Sequence, residues 1–422
     1  MSSSDCNRSV LDWPSGVTVY KPEKCYNGYT VVNPYRSETI FLVDMAGRVV
    51  HVWKADYEKR GESWFTRRLP NRNWMSLIYQ NAHLEDASSP ARDPGSFSCQ
   101  DFEKEVVEFD WDGNIAWRYS CRRDWNIHHD MARLQNGNTL ILMEKEVKVP
   151  SISDKAIAEN FFIEVDTQRN ILWEWYTTDH FDEFTYSKEA KHLMYEHGRD
   201  IFHTNTLSVL PGNELEKKDE RFKKGNILSC QRNTNFIYVI DKQSKKVVWK
   251  WGNGPNQLVG PHHPVMLGNG NILIYDNGGR AGYPLRCRFY TRLVEINPIS
   301  GEIIWQYSHE PYFFKPTSKF FSHSWGSVQR LPNGNTFSLD CHKGRLFEVT
   351  PSGEIVWEYI SPFAGAWGGK RLDRGMYRAY RYGYNEISEV DPIFKNTAGH
   401  LQIKPISGKS PNKLGLPSDD LP

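Results

Sequence analysis

Apolar and polar residues alternate along most of this chain, and a tryptophan marks each repeat of the pattern. An apolar pair followed by Trp, a polar residue and usually an aromatic residue recurs six times, at intervals of 52 to 76 residues. The repeated tryptophans are Trp53, Trp117, Trp173, Trp249, Trp305 and Trp357. A period of this length is typical of a four-stranded unit that carries insertions.

Two further landmarks precede the tryptophans in a fixed order, the nearer one before all six and the farther one before the last five. The nearer one is a strand that ends in an acidic or Asn turn, as in VEFDWDGN (107–114). The farther one is an Asn-rich turn, as in LQNGNTL (134–140) and LPNGNTF (331–337). In the fourth unit a charged insertion, ELEKKDERFK, splits this turn. Two alternating runs joined by a Gly or Asn turn predict a β-hairpin, so each unit reads as four antiparallel strands.

Six such units predict an all-β fold, a six-bladed β-propeller, because radial repetition protects the sheet edges. A stack of β-sandwiches would not repeat the same three landmarks in order. We expect residues 1–16 to form a short N-terminal arm and residues 17–363 to form the propeller. Residues 364–422 form an Arg/Tyr-rich C-terminal extension and tail, which either folds over one face or provides a basic aromatic surface.

The repeated tryptophan is interpreted as structural, filling the space between neighbouring blades, with burial of each ring contributing ~1.5–3 kcal/mol. Stacking on an aromatic substrate is the alternative. The aromatic content of 14%, with 31 Gly and 23 Pro, also favours short strands and many turns.

Charge and targeting signals narrow the functional class. Lys plus Arg total 52 and Asp plus Glu 51, which gives no support to a nucleic-acid or membrane-surface role. The seven cysteines are scattered and contain no CxxC pair, which argues against a zinc ribbon. No signal peptide is visible in the sequence as written, so a cytoplasmic location is expected, or export if the start is processed.

Histidines occur near the start of the first strand in four successive units. The first strand of a blade lies closest to the propeller axis, so these residues should converge on one mouth of the channel. They are His128, His129, His203, His262, His263 and His323. The distance to the Leu before the turn is five residues from His129 and His262, but seven from His203 and eight from His323. Bulges or different depths are therefore required, and separate structural histidines are the alternative.

A second candidate element follows His262 in the same unit. Asn277, Gly278 and Gly279 form a turn that permits unusual backbone angles, and Arg280 comes directly after it. A planar, permanently charged guanidinium beside imidazoles suits a tetrahedral oxyanion such as sulfate or phosphate. A solvated loop arginine is the alternative.

This ordered set of motifs resembles the arylsulfotransferase family of β-propellers over roughly residues 25 to 360. The resemblance rests on His-His-Asp (128–130), His-Thr-Asn (203–205), the stretch from His262 to Tyr-Asp-Asn-Gly-Gly-Arg (275–280), and Ser-His-Ser (322–324). It implies sulfuryl transfer from an aryl sulfate to a phenol through a sulfo-histidine, without a nucleotide sulfate donor or other cofactor. The implied partner is a small aryl sulfate or phenol.

The resemblance also implies roles for individual residues. His323 would be the nucleophile, His262 and Arg280 would hold the sulfuryl oxygens, and His203 or His129 would add charge or move the proton. The remaining substrate contacts would be His128, His263, Asn205 and Asn277.

Two other functions fit the same residues. Imidazoles of His129, His203, His263 and His323 are suitable ligands for a transition metal, with Asp130 as a further ligand or a support behind them. Such a site would serve a lyase or oxidoreductase acting on a small anionic or aromatic substrate, anchored by Arg280. The third possibility is a non-catalytic scaffold. Nothing in the sequence specifies the donor, the acceptor or the oligomeric state.

Overall fold

The computed structural model describes residues 15–35, 37–55, 61–80, 103–121, 124–255, 257–309, 318–363, 366–367, 370–371, 374–390 and 403–405. Most of the predicted N-terminal arm and of the C-terminal tail lies outside the described residues. Within them the chain forms a six-bladed β-propeller, which confirms the predicted fold class.

Apart from strands added by the two ends of the chain, each blade is an antiparallel sheet whose strands follow one another in sequence. After β1 (Gly16–Tyr20), the first blade contains β2 (Gly28–Val32), β3 (Thr39–Val43) and β4 (Val49–Lys54), and the second contains β5 (Glu62–Arg68), β6 (Trp74–Gln80), β7 (Glu103–Phe109) and β8 (Ile115–Ser120). The third contains β9 (Asn126–Arg133), β10 (Thr139–Val147), β11 (Ile157–Val165) and β12 (Ile171–Tyr176), and the fourth contains β13 (Thr204–Val209), β14 (Ile227–Gln231), β15 (Phe236–Ile240) and β16 (Val247–Trp251). The fifth contains β17 (Pro261–Met266), β18 (Ile272–Asp276), β19 (Arg292–Ile296) and β20 (Ile303–Ser308), and the sixth contains β21 (Val328–Arg330), β22 (Thr336–Asp340), β23 (Arg345–Val349) and β24 (Ile355–Ile360).

Segments from both ends of the chain complete the ring. The remaining strands are β25 (Ala366–Trp367), β26 (Lys370–Arg371), β27 (Tyr380–Gly383) and β28 (Ile403–Pro405). The N-terminal β1 pairs with β24 as the outermost strand of the sixth blade. The C-terminal β27 pairs with β2 as the innermost strand of the first blade, and β28 runs parallel to β4 on its outer edge. The boundary expected at residue 363 therefore falls before the last strand of the propeller.

Helices are confined to connections between strands in the described chain. Between β12 and β13 lie a 3₁₀ helix (Thr178–Phe184) and the helix α1 (Lys188–His197), whose first turn is capped by the Ser187 side chain accepting from the Ala190 N–H. Shorter 3₁₀ turns occur at Glu220–Phe222, inside the charged insertion, and at Cys341–Lys343. No described helix is long and apolar enough to cross a membrane.

The repeated tryptophans link each blade to the next by the same hydrogen bond. In every blade the indole N–H donates to a backbone carbonyl in the turn between the third and fourth strands of the following blade. The pairs are Trp53–Trp111 (3.0 Å), Trp117–Thr167 (3.1 Å), Trp173–Lys242 (3.1 Å), Trp249–Pro298 (3.0 Å), Trp305–Pro351 (2.8 Å) and Trp357–Met45 (2.9 Å). The last pair joins the sixth blade to the first, so the structural interpretation of these residues is confirmed.

The Asn-rich turns have a second linking role, through a glutamate on the third strand. In the fifth blade Glu295 accepts from Asn271 of its own blade at 2.7 Å and from Arg330 of the next blade at 2.6 Å. The sixth blade repeats this arrangement with Glu348, which accepts from Asn335 at 2.7 Å and lies 3.4 Å from Arg381. Because Arg381 belongs to β27, the C-terminal segment supplies both a strand and an interblade ion pair.

Removing the indole N–H of Trp357, at the ring closure, should destabilise the fold more than removing that of Trp305. The Trp357 side chain is fully buried, whereas the Trp305 bond is solvent-exposed. We expect Trp357→Phe to lower the free energy of unfolding by about 1–3 kcal/mol, because the Met45 carbonyl loses its donor in a buried site. Trp305→Phe, where water can replace the donor, should cost less than about 1 kcal/mol. Urea denaturation measures both, and equal losses would contradict the prediction.

Candidate functional site

The histidines lie where the inner strands of the third to fifth blades begin, at backbone bulges. His129, His203 and His263 have left-handed φ values of 56°, 51° and 46°, which are uncommon for residues other than Gly. Pairing of β9, β13 and β17 with their neighbours shifts register at or next to these residues. A bulge inserts an extra residue and changes the direction of a side chain. Bulges thus occur in the blades of His129, His203 and His263, whereas His323, which has the longest spacing, lies on a loop before β21 (Val328–Arg330).

Three imidazoles meet in one cluster, made of His128, His129 and His203, which we call the histidine trio. One ring nitrogen from each lies within 4.8 Å of the others, and the Nε2 atoms of His129 and His203 are 3.2 Å apart. Carboxylates support two of the rings from behind. Asp200 pairs with Nδ1 of His203, and a carboxylate oxygen of Glu144 lies 3.3 Å from Nε2 of His128.

His262 is held in one tautomer by Asn277. The Asn277 side-chain amide donates to the carbonyls of Ser322 at 2.8 Å and Trp325 at 2.6 Å, so its oxygen is left as an acceptor. That oxygen lies 2.7 Å from Nδ1 of His262, which therefore carries the proton. Nε2 keeps its lone pair and finds no hydrogen-bond partner among the described residues. Burial lowers the pKa of His262 well below its ordinary value, so the ring is neutral.

His323 lies exposed at the mouth, on a loop that leads into β21. The loop rests closely on the turn after β18, since a Cβ atom at Gly279 would lie 2.2 Å from the His323 carbonyl oxygen. The His323 ring stacks on His342, with centroids 4.0 Å apart and an interplanar angle of 2°. Burial and the charge of Arg232 lower the pKa of His323. Burial and the neighbouring His323 lower the pKa of His342 to about 4.

Arg232 adds a permanent positive charge near His262 and His323, and it was not predicted as a site residue from the sequence. It directly follows β14, and its guanidinium donates to the Asn233 side chain at 2.7 Å and to the Arg280 carbonyl at 3.2 Å. After burial, its charge is the next cause that lowers the pKa of both His262 and His323. Its position in the sequence could have identified it. Arg232 comes immediately after the second strand of its blade, and Asn277 has the same position in the next blade.

Arg280, by contrast, has an exposed side chain, and only its backbone carbonyl contacts Arg232. His342 was also missed, although it follows the second strand of the sixth blade two residues after its end. The turns after second strands therefore deliver Arg232, Asn277 and His342 to the same mouth.

Some of the predicted site residues serve the scaffold. His263 accepts from the Val328 backbone N–H at 3.0 Å through Nδ1, and its Nε2 lies 3.4 Å from the Tyr380 hydroxyl. The Asn205 side chain donates to the Pro261 carbonyl at 3.0 Å and accepts from the Thr206 hydroxyl at 2.8 Å. The four-histidine metal set expected from the sequence is therefore not assembled among the described residues. His128 joins His129 and His203, while His263 and His323 lie outside their cluster.

Asp130, considered as a metal ligand, is instead fully engaged in an ion-pair network. One carboxylate oxygen accepts from Arg67 at 2.7 Å, and the other lies 2.8 Å from Arg378 and accepts from the Leu207 N–H at 2.8 Å. The Arg378 side chain is completely buried and also donates to the Asn205 carbonyl at 3.0 Å. The carboxylate thus balances a buried guanidinium near the axis.

The segment that carries Arg378 forms the floor of the site. Tyr377 stacks on His129, with ring centroids 5.4 Å apart and an interplanar angle of 18°, and its hydroxyl donates to the Asn205 carbonyl at 3.2 Å. Both Tyr377 and Arg378 are buried. This part of the Arg/Tyr-rich extension is therefore inside the propeller and is neither a cover over one face nor a basic surface.

Neutralising Asp130 should destabilise the protein strongly. Asp130→Asn leaves the buried guanidinium of Arg378 without its counter-charge, and we expect a loss of about 3–5 kcal/mol in the free energy of unfolding. The matched control is Asp182→Asn, which removes an exposed pair with Lys191 and should cost less than about 1 kcal/mol. Chemical denaturation compares the two, and similar small losses would show that Asp130 does not balance the buried charge.

Comparison with known proteins gives one match at the family level. A family model described as Arylsulfotransferase (ASST) matches residues 104–362, more than half of the chain. No curated protein matches significantly.

Solved structures resemble the chain only distantly. A protein of unknown function from Bacteroides caccae is 12% identical with a TM-score of 0.45, covering 79% of this chain and 94% of its own. Virginiamycin B lyase from Staphylococcus aureus is 8% identical with a TM-score of 0.39, covering 83% of this chain and 85% of its own. Apo AztD from Citrobacter koseri is 9% identical with a TM-score of 0.38, covering 82% and 96%. These likenesses say nothing about the reaction.

Proposed function

This chain belongs to the arylsulfotransferase family, and from that premise we propose that it transfers a sulfuryl group from an aryl sulfate to a phenol at the propeller mouth. Family membership favours this reaction over the lyase or oxidoreductase alternative. The observation that carries the assignment of residues is the position of Asn277. Its side chain orients the ring of His262 and, at the same time, holds the loop that carries His323.

In the first half-reaction we assign the attack on sulfur to His323. A ring nitrogen forms a bond to sulfur while the bond from sulfur to the aryl oxygen breaks, and the phenolate leaves with the electron pair. Splitting the transfer into two displacements replaces one difficult step with two easier ones. The lowered pKa of His323 keeps the ring neutral near pH 7, so its lone pair is available.

In the second half-reaction the acceptor phenol attacks the same sulfur, and the bond from His323 to sulfur breaks. We assign the phenol proton to Nε2 of His262, the nitrogen that holds a lone pair. Asn277 suits this role because its oxygen accepts from Nδ1–H both before and after the ring is protonated. The ring thus stays oriented while its charge changes.

We assign the sulfuryl oxygens to Arg232. A positioned cationic donor near charge that develops in the transition state is worth about 3–4 kcal/mol. Arg232 is half-buried, so its charge is less screened by solvent than that of the exposed Arg280. The proposal therefore gives Arg232 the role that the family resemblance gave to Arg280, and the two residues can be separated by experiment.

A covalent sulfuryl adduct should form on His323. After incubation with p-nitrophenyl sulfate without an acceptor, intact mass measurement should show one added SO₃ group, and addition of phenol should remove it. His323→Ala should abolish both adduct and turnover, while His192→Ala, a surface histidine on α1, should leave them unchanged. An adduct that persists in His323→Ala but disappears in His342→Ala would assign the nucleophile to the stacked neighbour. Absence of adduct and turnover with several aryl sulfates would reject the reaction.

Replacing the two arginines should have unequal effects on catalysis. Arg232→Gln should lower kcat/KM for an aryl sulfate by about 10²-fold or more, since it removes a charge-stabilising donor. Arg280→Gln should change kcat/KM less than about threefold, because an exposed charge is screened by solvent. Steady-state kinetics with p-nitrophenyl sulfate measures both values. The reverse ranking would return the oxyanion role to Arg280.

A further inference from the structure

We propose that the histidine trio, His128, His129 and His203, binds a divalent transition-metal ion such as Zn²⁺. The steps assigned above use His323, His262 and Arg232, whereas the family resemblance gave His129 or His203 a part in adding charge or moving the proton. A metal ion bound at the trio is a different role for these rings, and its test does not depend on whether the protein transfers sulfuryl groups.

The spacing of the ring nitrogens is the first support. Zn²⁺ binds imidazole nitrogen at about 2.0–2.1 Å with tetrahedral geometry, which places two ligand nitrogens about 3.3–3.4 Å apart. The Nε2 atoms of His129 and His203 are 3.2 Å apart. A ring nitrogen of His128 lies within 4.8 Å of the chosen nitrogens of the other two, which makes a third ligand available.

The groups behind the rings are the second support. Histidines that bind metals commonly direct their other nitrogen at a carboxylate, which sets the tautomer and the ring orientation. Asp200 holds Nδ1 of His203 and so leaves Nε2 for a metal. Glu144 faces Nε2 of His128 and leaves Nδ1, which has no partner among the described residues. Two of the three rings are therefore already arranged as metal ligands.

Burial is the third support. The residues His128 and His129 are 7% and 8% exposed, and Nδ1 of each lacks a hydrogen-bond partner in the described part of the chain. Buried polar atoms are nearly always paired, and a metal ion bound at the trio would use this nitrogen of His128.

The ligand type indicates the class of metal. Three imidazoles suit zinc, copper, nickel or iron, whereas Mg²⁺ and Ca²⁺ prefer oxygen ligands. Three protein ligands also leave one position open, as in catalytic zinc sites. An anionic or phenolic substrate oxygen is the ligand that this position would accept. The ion would then place a positive charge beside that oxygen.

Metal titration of the full chain tests the proposal. Protein purified with a tag that contains no histidine, and stripped with a chelator, should bind one equivalent of Zn²⁺ in competition with a chromophoric chelator. Co²⁺ should give the visible absorption of a tetrahedral nitrogen site. His129→Ala and His203→Ala should each weaken binding at least about 100-fold, and Glu144→Gln about 10–100-fold. His342→Ala, at the same mouth but outside the trio, should bind as the wild type does.

Two results would overturn the proposal. One is the absence of stoichiometric Zn²⁺ binding to the folded protein. The other is binding that survives unchanged in both His129→Ala and His203→Ala, with circular dichroism showing that the variants are folded. All of these measurements are made without an aryl sulfate. Their outcome is therefore independent of the adduct experiment on His323.

Discussion

The hydrogen bond from each repeated indole to the next blade is the interaction on which the rest of the molecule depends. A propeller blade is a small sheet whose faces are buried only by its two neighbours, so its stability comes from those contacts. The same bond recurs at all six junctions, and the bond from Trp357 to Met45 joins the last blade to the first. This closure gives the molecule a single axis and brings distant segments of the chain to one mouth.

The candidate site is a direct consequence of that closure. Its histidines come from four blades: His128 and His129 from the third, His203 from the fourth, His262 from the fifth, and His323 with His342 from the sixth. No blade contains a complete site. Asn277 shows how closely the blades cooperate, since one side chain contacts a ring of its own blade and the backbone of the next. Small changes in blade packing would therefore change the geometry of the candidate site.

Local sequence patterns made the fold predictable, whereas part of the site depends on contacts between distant residues and could not be predicted from those patterns. Alternation, Asn-rich turns and tryptophans are local signals, and they correctly predicted six blades. The strand β27 has none of these landmarks, because it completes a blade that begins some 350 residues earlier. The inner-strand histidines were visible, but bulges determine which side chains face the axis. A shift of one residue reverses that direction, as the scaffold position of His263 illustrates. Arg232 was missed because its important neighbours belong to other parts of the ring.

The segment that forms the floor of the site is synthesised after almost all of the blades, so the site is completed late. Tyr377 and Arg378 support His129 and Asp130, and β27 follows them directly. During synthesis, blades two to five emerge from the ribosome long before this segment does, and domains tend to fold from the N-terminus as they emerge. His129 and Asp130 therefore lack these contacts until nearly the whole propeller has been translated. A chain released early would carry most of its blades without the support that Tyr377 and Arg378 give to the candidate site, which couples completion of that site to completion of the polypeptide.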